Sequence, residues 1–350
     1  MTAQYASVVE KIRRSPSNES LDDVDYRELV RLATLAASSH NTQPWKFLIE
    51  EACIRIFPDY ERRCPVVDPD DAHLFKSLGC AAENLVHAAV AQGLDSQIQF
   101  DSQNDCVVVS LTPDASLGVS GLSRAITERQ CTRAPFDGKP VSPDDLNRLK
   151  RAAQGNGVRA IMRTSVEEKE DIIGFVNMGN TAQLSDRSFR TELKKWARCN
   201  PKEALKSGDG LSGVTVGKPS VPTWLARFVL DWVITPKSQC NVDSANIRSS
   251  SGIAVFVSAD DSKPAWVETG RCFERFALQA TALEIRTAFI NQPIEVQQLR
   301  PSFQDWLGLE NEHAQLIVRF GGGPQMPFSV RRPLDDVIIS TPPATSWIPD

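Results

Sequence analysis

Two long segments rich in small residues constrain the fold of this chain more than any other feature. Residues 74–92 read LFKSLGCAAENLVHAAVAQ, and residues 266–283 read WVETGRCFERFALQATAL. In both segments apolar residues recur at helical spacing, with glycine and alanine among them. Gly93 follows the first segment directly, as glycine commonly does at the end of a helix. We expect two long helices whose small residues allow close packing against another element.

Shorter segments surround each long helix in a similar order. The first part of the chain shows a helix, a strand or hairpin with its turn at Glu50–Glu51, the long helix and a further strand, over residues 25–37, 47–57, 74–92 and 107–111. In the second part a helix begins at Pro143 with Ser142 as its N-cap. Further helices are predicted at residues 167–177 and 266–283. Strands are predicted at residues 158–162, 253–257, 288–290 and 315–320. This order indicates an internal duplication, with residues 1–120 as the first half and 121–350 as the second.

A long excursion separates the elements of the second half. Residues 178–245 have mixed polarity and many Gly, Ser and Pro residues. Segments of this length are usually lids or binding loops, or else disordered. Residues 187–198 read as a basic amphipathic helix, either solvated or part of a lid whose cations meet an anionic ligand: Arg190, Lys194 or Arg198. The Pro- and Arg-rich tail from Pro327 is expected to be an extended arm.

Composition excludes several classes of function. Of the 350 residues 41% are hydrophobic, and the net charge is -5. An acidic chain is a poor general binder of nucleic acid or anionic membranes, because phosphate binding favours a basic surface. The most apolar run, residues 224–235, is too short to span a bilayer and carries Arg227 and Asp231. No secretory signal is recognisable at the N-terminus, so we expect a cytoplasmic protein.

The cysteines and histidines give no sign of a metal site. Eight cysteines include no CxxC pair, and the four histidines are scattered. Most of these cysteines are expected to be small buried hydrophobic residues rather than members of a disulfide framework. A cysteine nucleophile activated by His40 or His87 has no support, because no cysteine is placed beside either.

A run of short polar side chains follows the first predicted helix. Residues 37–47 read ASSHNTQPWKF, and such hydroxyl, amide and imidazole groups suit a polar ligand better than a core. The run resembles the Ser-Ser-x-Asn-x-Gln-Pro-Trp motif of the nitroreductase superfamily of FMN-binding flavoproteins. Residues 129–133 (RQCTR) and 331–333 (RRP) resemble two further elements of that family. The resemblance implies a nitroreductase-like α+β fold, with an antiparallel or mixed sheet and flanking long helices in each half.

The order of these motifs implies a fused pseudo-dimer. In the superfamily each FMN lies at a homodimer interface, and the two motifs that hold it come from different subunits. Here the intact motifs occupy opposite halves of one chain, and their counterparts at residues 13–20 and 152–161 lack the family pattern. The chain is thus similar to the Acg-like branch, in which one chain forms both halves. This similarity implies one FMN per chain and a monomer that acts as a pseudo-dimer, with a homodimer as the alternative.

The resemblance also assigns roles to individual residues. Arg129 and Arg331 are placed at the FMN phosphate, with Ser38 and Ser39 donating from the other half; guanidinium forks and hydroxyls suit that dianion. Arg332 competes with Arg331 for this role.

Other motif residues would lie along the rest of the cofactor. Arg133 is placed at the pyrimidine edge, where a cation stabilises reduced flavin. Asn41 suits ribityl or ring polar atoms. His40 faces either the flavin or solvent, and Cys131 stands where the family has serine. By the same resemblance, backbone N–H groups of Asn291 and Gln292 lie beside the ring N5, whereas Trp45 is expected to be a core residue.

Three functions follow from the resemblance. The first is an FMN-dependent oxidoreductase that takes hydride from NAD(P)H and reduces a nitroaromatic, quinone or enone-like acceptor. The second is an oxidase or dehydrogenase of a small metabolite. The third, a non-catalytic protein that sequesters FMN under a lid, is a property attributed to some members of the Acg-like branch. No catalytic side chain is assigned, because the flavin carries the chemistry. Coverage of the flavin by residues 178–245 would favour sequestration.

Overall fold

The computed structural model describes residues 2–15, 24–114, 116–118, 121–217, 221–222 and 234–343. Helices are numbered here in chain order: α1 Ala3–Ile12, α2 Tyr26–Ala33, α3 Ala72–Ala91, α4 Gly121–Ala125, α5 Pro143–Ala152, α6 Val166–Ser185, α7 Arg187–Trp196, α8 Pro201–Ser207, α9 Pro236–Arg248, α10 Lys263–Ala282, α11 Gln292–Glu295, α12 Arg300–Leu307 and α13 Leu334–Val337. The strands are β1 Trp45–Glu50, β2 Cys53–Pro58, β3 Leu94–Asp101, β4 Cys106–Pro113, β5 Val158–Arg163, β6 Ala197–Arg198, β7 Leu211–Ser212, β8 Gly252–Ser258, β9 Ile285–Phe289, β10 His313–Gly322 and β11 Ile338–Ile339.

Local sequence signals set the beginnings of several helices. The Asp25 carboxylate accepts the N–H of Glu28 at 2.9 Å and starts α2. Ser142 caps α5 as expected, because its Oγ accepts the N–H of Asp145 at 3.1 Å. These side chains satisfy backbone donors that a helix leaves free in its first turn.

Two sheets share one strand order. In the described part of the chain the first sheet runs β11-β1-β2-β4-β3, and the second runs β5-β8-β10-β9. Pairing β1 with β5, β2 with β8, β4 with β10 and β3 with β9 superimposes the two orders, and a long helix stands at the same place in each series. The additional strand β11 comes from the C-terminal arm and lies parallel to β1, with Phe47 opposite Ile338. The tertiary structure thus repeats the duplicated plan, while the end of the second half completes the sheet of the first.

The two long helices cross at paired glycines. A Cβ on Gly79 of α3 would lie 1.9 Å from the backbone oxygen of Val267, and a Cβ on Gly270 of α10 would lie 1.9 Å from that of Lys76. Each glycine therefore sits against the carbonyl three residues before the other glycine, which is a two-fold symmetric contact. Only a residue without a side chain permits this backbone approach.

One hydrophobic core continues through the crossing. Phe47 and Phe75 from the first half and Phe256 and Phe273 from the second belong to the same buried cluster. Trp45 is fully buried in it, so the prediction that Trp45 is a core residue is confirmed. Burial of one such aromatic side chain contributes about 1.5–3 kcal/mol to folding.

Most predicted elements are present, with informative exceptions. The α+β class is confirmed, and the segment 47–57 is a hairpin of β1 and β2. Strand β3 was not predicted, because LDSQIQFD is mostly polar and lies at the edge of its sheet. The segment predicted at 167–177 is the long helix α6. The arm after Pro327 is not wholly extended, since it forms α13 and β11.

The excursion is largely structured where the chain is described. It contains the end of α6, then α7, α8, most of α9 and the small parallel pair β6–β7. Most of the apolar run 224–235 lies outside the described residues. No helix in the described ranges is long and apolar enough to cross a membrane. The boundary between residues 120 and 121 stays a prediction.

The helix crossing yields a stability prediction. Gly79→Ala should lower the free energy of unfolding by about 1–3 kcal/mol or more, because the new methyl group meets a backbone oxygen that cannot rotate away. Gly174→Ala is the matched control: Gly174 lies within α6 and a Cβ there meets nothing within 4 Å. The control should raise stability by up to about 1 kcal/mol. Urea unfolding followed by circular dichroism measures both, and equal effects would contradict the crossing.

Candidate functional site

The polar run after α2 forms a strained turn. Residues 39–41 form a tight turn in which Thr42 N–H donates to the Ser39 oxygen at 2.9 Å. His40, Asn41 and Gln43 have φ of 50°, 53° and 53°, in the left-handed region. Each such non-glycine residue costs on the order of 1 kcal/mol and persists only where neighbours hold it. Clustered backbone strain of this kind is typical of functional sites.

Gln43 holds the turn from inside. It is fully buried, and its Nε2 donates to the oxygen of Gly208 at 2.8 Å. Its Oε1 accepts the N–H of Arg332 at 2.9 Å, and its own N–H donates to Ser38 Oγ at 3.1 Å. The motif glutamine therefore joins the turn to the excursion and to the C-terminal arm.

Asn41 is also bonded to protein on every side. Its Nδ2 donates to the oxygens of Gly210 at 3.2 Å and Val330 at 3.4 Å. Its Oδ1 accepts from Arg331 Nη1 at 3.2 Å, and its backbone oxygen accepts the N–H of Gly210 at 3.1 Å. In this structure the predicted ribityl ligand is thus a junction between both halves and the excursion.

Arg331 and Arg129 converge on the end of α2. Arg331 donates to the oxygens of Thr34 at 2.7 Å and Leu35 at 2.9 Å, and Arg129 Nη2 donates to the same Leu35 oxygen at 2.8 Å. Helix C-termini carry partial negative charge, so guanidinium groups are favoured there. These bonds also explain why α2 ends at Ala33, four residues before the predicted end.

This cluster carries excess positive charge. Arg13, Arg129 and Arg331 are all at least nine-tenths buried, and Arg129 Nε lies 2.7 Å from the carboxylate of Glu274. Burial, followed by the charge of Arg129, lowers the pKa of Arg331 to about 9, which leaves it protonated at neutral pH. Three guanidinium groups thus face one carboxylate, an environment that favours a nearby anion. Arg332 instead pairs with Asp59 at 3.1 Å.

Strand β9 fixes the RQCTR segment, which carries Arg133. Thr132 N–H donates to the oxygen of Thr287 at 2.9 Å, and Cys131 forms a bridge with the same residue, so β9 fixes the RQCTR segment. Arg133 is exposed, and it makes no hydrogen bond or ion pair with the described residues. Burial, and then the charge of Arg133, lower the pKa of His40 to about 4. The charge of Arg133 therefore influences the His40 ring, although the two residues lie about ninety positions apart in sequence.

The Asn291–Gln292 side chains support neighbouring elements. Asn291 Oδ1 accepts the N–H of Ile317 at 2.8 Å. Gln292 Nε2 donates to Asn180 Oδ1 and Asp243 Oδ2, both at 3.2 Å. The predicted contact beside the flavin ring concerned backbone N–H groups, and it stays a prediction.

Ion pairs and hydrogen bonds join the described part of the excursion to the first half. Asp209 receives Arg198 Nη2 at 2.6 Å and also pairs with Arg62. Glu192 of α7 accepts the N–H groups of Val66 and Val67, each at 3.0 Å. Arg198, one of the three cations predicted to meet an anionic ligand, is thus engaged with Asp209.

Sequence reasoning missed a group of buried and partly buried ionisable residues near the turn. We call it the Lys76 chamber: Asp68, His73, Lys76, Glu295 and Arg300. Its one sequence signal was a lysine within the otherwise small and apolar stretch HLFKSLGCAA of α3.

Among the described residues no group of three or more metal-ligating side chains could hold an ion, and all eight cysteines are free.

Over most of its length the chain is similar to curated proteins named as putative NAD(P)H nitroreductases. No protein-family model matches it. It is 22% identical over 323 residues to "Putative NAD(P)H nitroreductase Rv3131" of Mycobacterium tuberculosis, covering 89% of this chain and 90% of the relative. It is also 22% identical over 322 residues to "Putative NAD(P)H nitroreductase acg" of the same organism, covering 89% and 94%. The resemblance to Acg-like nitroreductases is therefore confirmed along most of the chain.

Solved structures also match part of the chain. The FMN-dependent nitroreductase NfnB from Mycobacterium smegmatis, in complex with NADPH, matches with a TM-score of 0.41 and 12% identity. The match covers 62% of this chain and 96% of that chain.

The effect of the Arg133 charge on the His40 pKa can be measured by histidine titration. Arg133→Gln should raise the pKa of His40, because a nearby cation no longer opposes protonation; burial should still keep the pKa below 6.5. Arg148→Gln, which changes an exposed arginine of α5, should leave it unchanged. Heteronuclear NMR follows the His40 ring, assigned with a His40→Gln variant. An unchanged His40 pKa in the Arg133→Gln variant would show that Arg133 does not act on the His40 ring.

Proposed function

We propose that this chain is an FMN-dependent oxidoreductase that takes hydride from NAD(P)H and passes two electrons to a nitroaromatic, quinone or related small acceptor. The observation that carries the proposal is that Arg129 of the RQCTR segment and Arg331 of the C-terminal arm both donate to the Leu35 oxygen, three residues before Ser38. The names of the relatives support the hydride donor and the reaction class. A single chain supplies both halves of the site.

The residues present fit FMN. Ser38 and Ser39 offer hydroxyl groups at the turn, and Arg133 offers a guanidinium without a partner among the described residues. The excess positive charge around Arg129 and Arg331 suits a phosphate dianion. When bound, FMN supplies the hydride chemistry, so no side-chain nucleophile is required.

His40 and Arg133 have different tasks in this proposal. His40 is neutral at pH 7, so it can donate one hydrogen bond and accept another without adding charge. Arg133 keeps a positive charge where reduced flavin gathers negative charge, which favours reduction. Asn41, Gln43 and Arg331 hold the strained backbone between them.

Sequestration of FMN is the second candidate. The observation that favours it is the bonding of the excursion to the turn: Gly208 and Gly210 lie against Gln43 and Asn41, and Asp209 between them pairs with two arginines. A segment fastened in this way would slow the entry and release of a cofactor. Access to the flavin therefore distinguishes an enzyme from a carrier.

Reconstitution tests both candidates. The purified protein, incubated with FMN and desalted, should be yellow and hold one FMN per chain. Anaerobic NADPH or NADH should then bleach the flavin absorbance near 450 nm, by roughly the full amplitude of free FMN on reduction. Failure to bind FMN would overturn the proposal, and two FMN per chain would refute the single site. Bound flavin that dithionite reduces but neither nucleotide does would favour sequestration.

The fastening of the excursion predicts the rate of FMN release. Asp209→Asn weakens the pairing with Arg62 and Arg198 and should speed FMN release at least about tenfold, equivalent to about 1.4 kcal/mol. Asp335→Asn is the control, because Asp335 forms an exposed pair with Arg27. Stopped-flow fluorescence measures release after dilution into an FMN-binding competitor. Identical rates in the two variants would mean that residues 200–217 do not retain the cofactor.

A further inference from the structure

Lys76 carries a buried ammonium group without a partner. Lys76 lies on α3 and is 3% exposed, and its Nζ has no hydrogen-bond partner. It forms no ion pair with any described carboxylate. An ammonium has three donors, and burying it unsatisfied costs several kcal/mol. An acceptor from outside the chain would offset this cost.

The neighbouring groups are already occupied or neutral. Asp68 accepts the N–H groups of His73 and Leu74, each at 3.0 Å, and so holds the first turn of α3. Glu295 accepts from Gln183 at 2.8 Å and lies 3.9 Å from His73 Nε2. Burial, followed by the nearby lysine charge, keeps the pKa of His73 well below its usual value, so this imidazole is neutral.

The chamber adjoins both predicted flavin segments. Ser39 N–H approaches Ser77 Oγ at 3.4 Å, and Ser77 follows Lys76 on α3. His40 lies close enough to His73 to contribute to the lowering of the His73 pKa. Glu295 ends α11, the short helix that begins at Gln292. A ligand in the chamber would therefore lie beside a cofactor held by these segments.

We propose that the Lys76 chamber binds the oxygen of the electron acceptor, a nitro, quinone or carbonyl oxygen, with the Lys76 ammonium as its main donor. This inference rests on the proposed oxidoreductase function and adds the residue that would recognise the substrate. The neutral imidazole of His73 and the Glu295 carboxyl group complete the polar lining. Sequence reasoning assigned no side chain to this task.

Lys76 can also supply a proton to that oxygen. When a carbonyl or quinone acceptor receives a hydride, which carries two electrons and one hydrogen, its oxygen needs one further proton. Burial lowers the pKa of Lys76 to about 8, and burial raises the pKa of Glu295 to about 7. Lys76 would transfer one proton to the oxygen and become a neutral amine, and a proton from solvent would restore the ammonium. Groups with pKa values near neutrality suit such a transfer.

The pH dependence of binding follows from the charges around Lys76. Asp68 before α3, Asp261 after β8 and Glu295 on α11 favour its protonated form, while Arg300 of α12 and burial oppose it. The lowered pKa means that the ammonium is present below about pH 8 and is lost above it. Affinity for an oxygen-bearing ligand should therefore fall as pH rises from 7 to 9.

The test uses two ligands of similar shape and three proteins. Nitrobenzene carries oxygens, whereas cumene replaces them with methyl groups. Equilibrium dialysis without NAD(P)H should show that the FMN-loaded wild-type protein prefers nitrobenzene at least about tenfold. Lys76→Met should abolish this preference, and Lys150→Met, at an exposed position of α5, should retain it. A preference that survives in the Lys76 variant, or is absent from the wild type, would overturn the proposal.

Stability separates a ligand site from a structural lysine. Lys76→Met replaces an unpartnered buried charge with an apolar side chain of similar size, so its Tm should rise by a few degrees. A large fall in Tm, or failure to fold, would identify Lys76 as structural and contradict the proposal.

A second measurement needs no variant. The proposal requires a small molecule to reach Lys76, which is 3% exposed in the structure. Acetic anhydride should therefore modify Lys76 of the wild-type protein, and nitrobenzene but not cumene should slow this reaction, as followed by peptide mass spectrometry. No modification of Lys76, or equal rates with both ligands, would contradict the proposal. Dialysis of FMN-free protein distinguishes failure of the Lys76 proposal from failure of the proposed oxidoreductase function. If the protein never binds FMN but still shows a Lys76-dependent preference for nitrobenzene, the Lys76 site is supported and the proposed function is rejected.

Discussion

The close crossing of α3 and α10 at Gly79 and Gly270 is the contact on which the rest of this structure depends. It joins the two sheets through one core. It also brings polar residues of both helices to one interface between the halves. Glu274 of α10 accepts the N–H of Ala37 at 3.2 Å and pairs with Arg129, so one buried carboxylate meets both halves of the candidate site. Ser77 of α3 contacts Ser39 from the other side.

Several features that cost folding free energy lie at this interface between the halves. Left-handed backbone at His40 and Asn41, three buried arginines around Glu274 and an unpartnered lysine would each destabilise an isolated segment. A large shared core can bear such costs, because the net stability of a protein is a small difference between large terms. Their location between the halves agrees with a ligand site built from both.

Local patterns made much of the fold predictable. Helical spacing and the caps at Asp25 and Ser142 determine α2 and α5, and the small residues of α3 anticipated a close approach. Strand β3 was missed because its edge position tolerates a polar sequence. The parallel pairing of β11 with β1 was also missed, because a two-residue strand has no periodicity of its own and depends on distant partners.

The sequence by itself determined the family resemblance, the two-part plan and the residues of both motifs. Only the tertiary structure decided where their side chains go. Arg331 and Arg129 reach the carbonyls at the end of α2, and Asn41 bonds the excursion and the arm. The Lys76 chamber likewise exists only after folding. The physical reason is that charge, burial and hydrogen bonding depend on distances between groups, and residues far apart in sequence acquire those distances only when the two halves pack together.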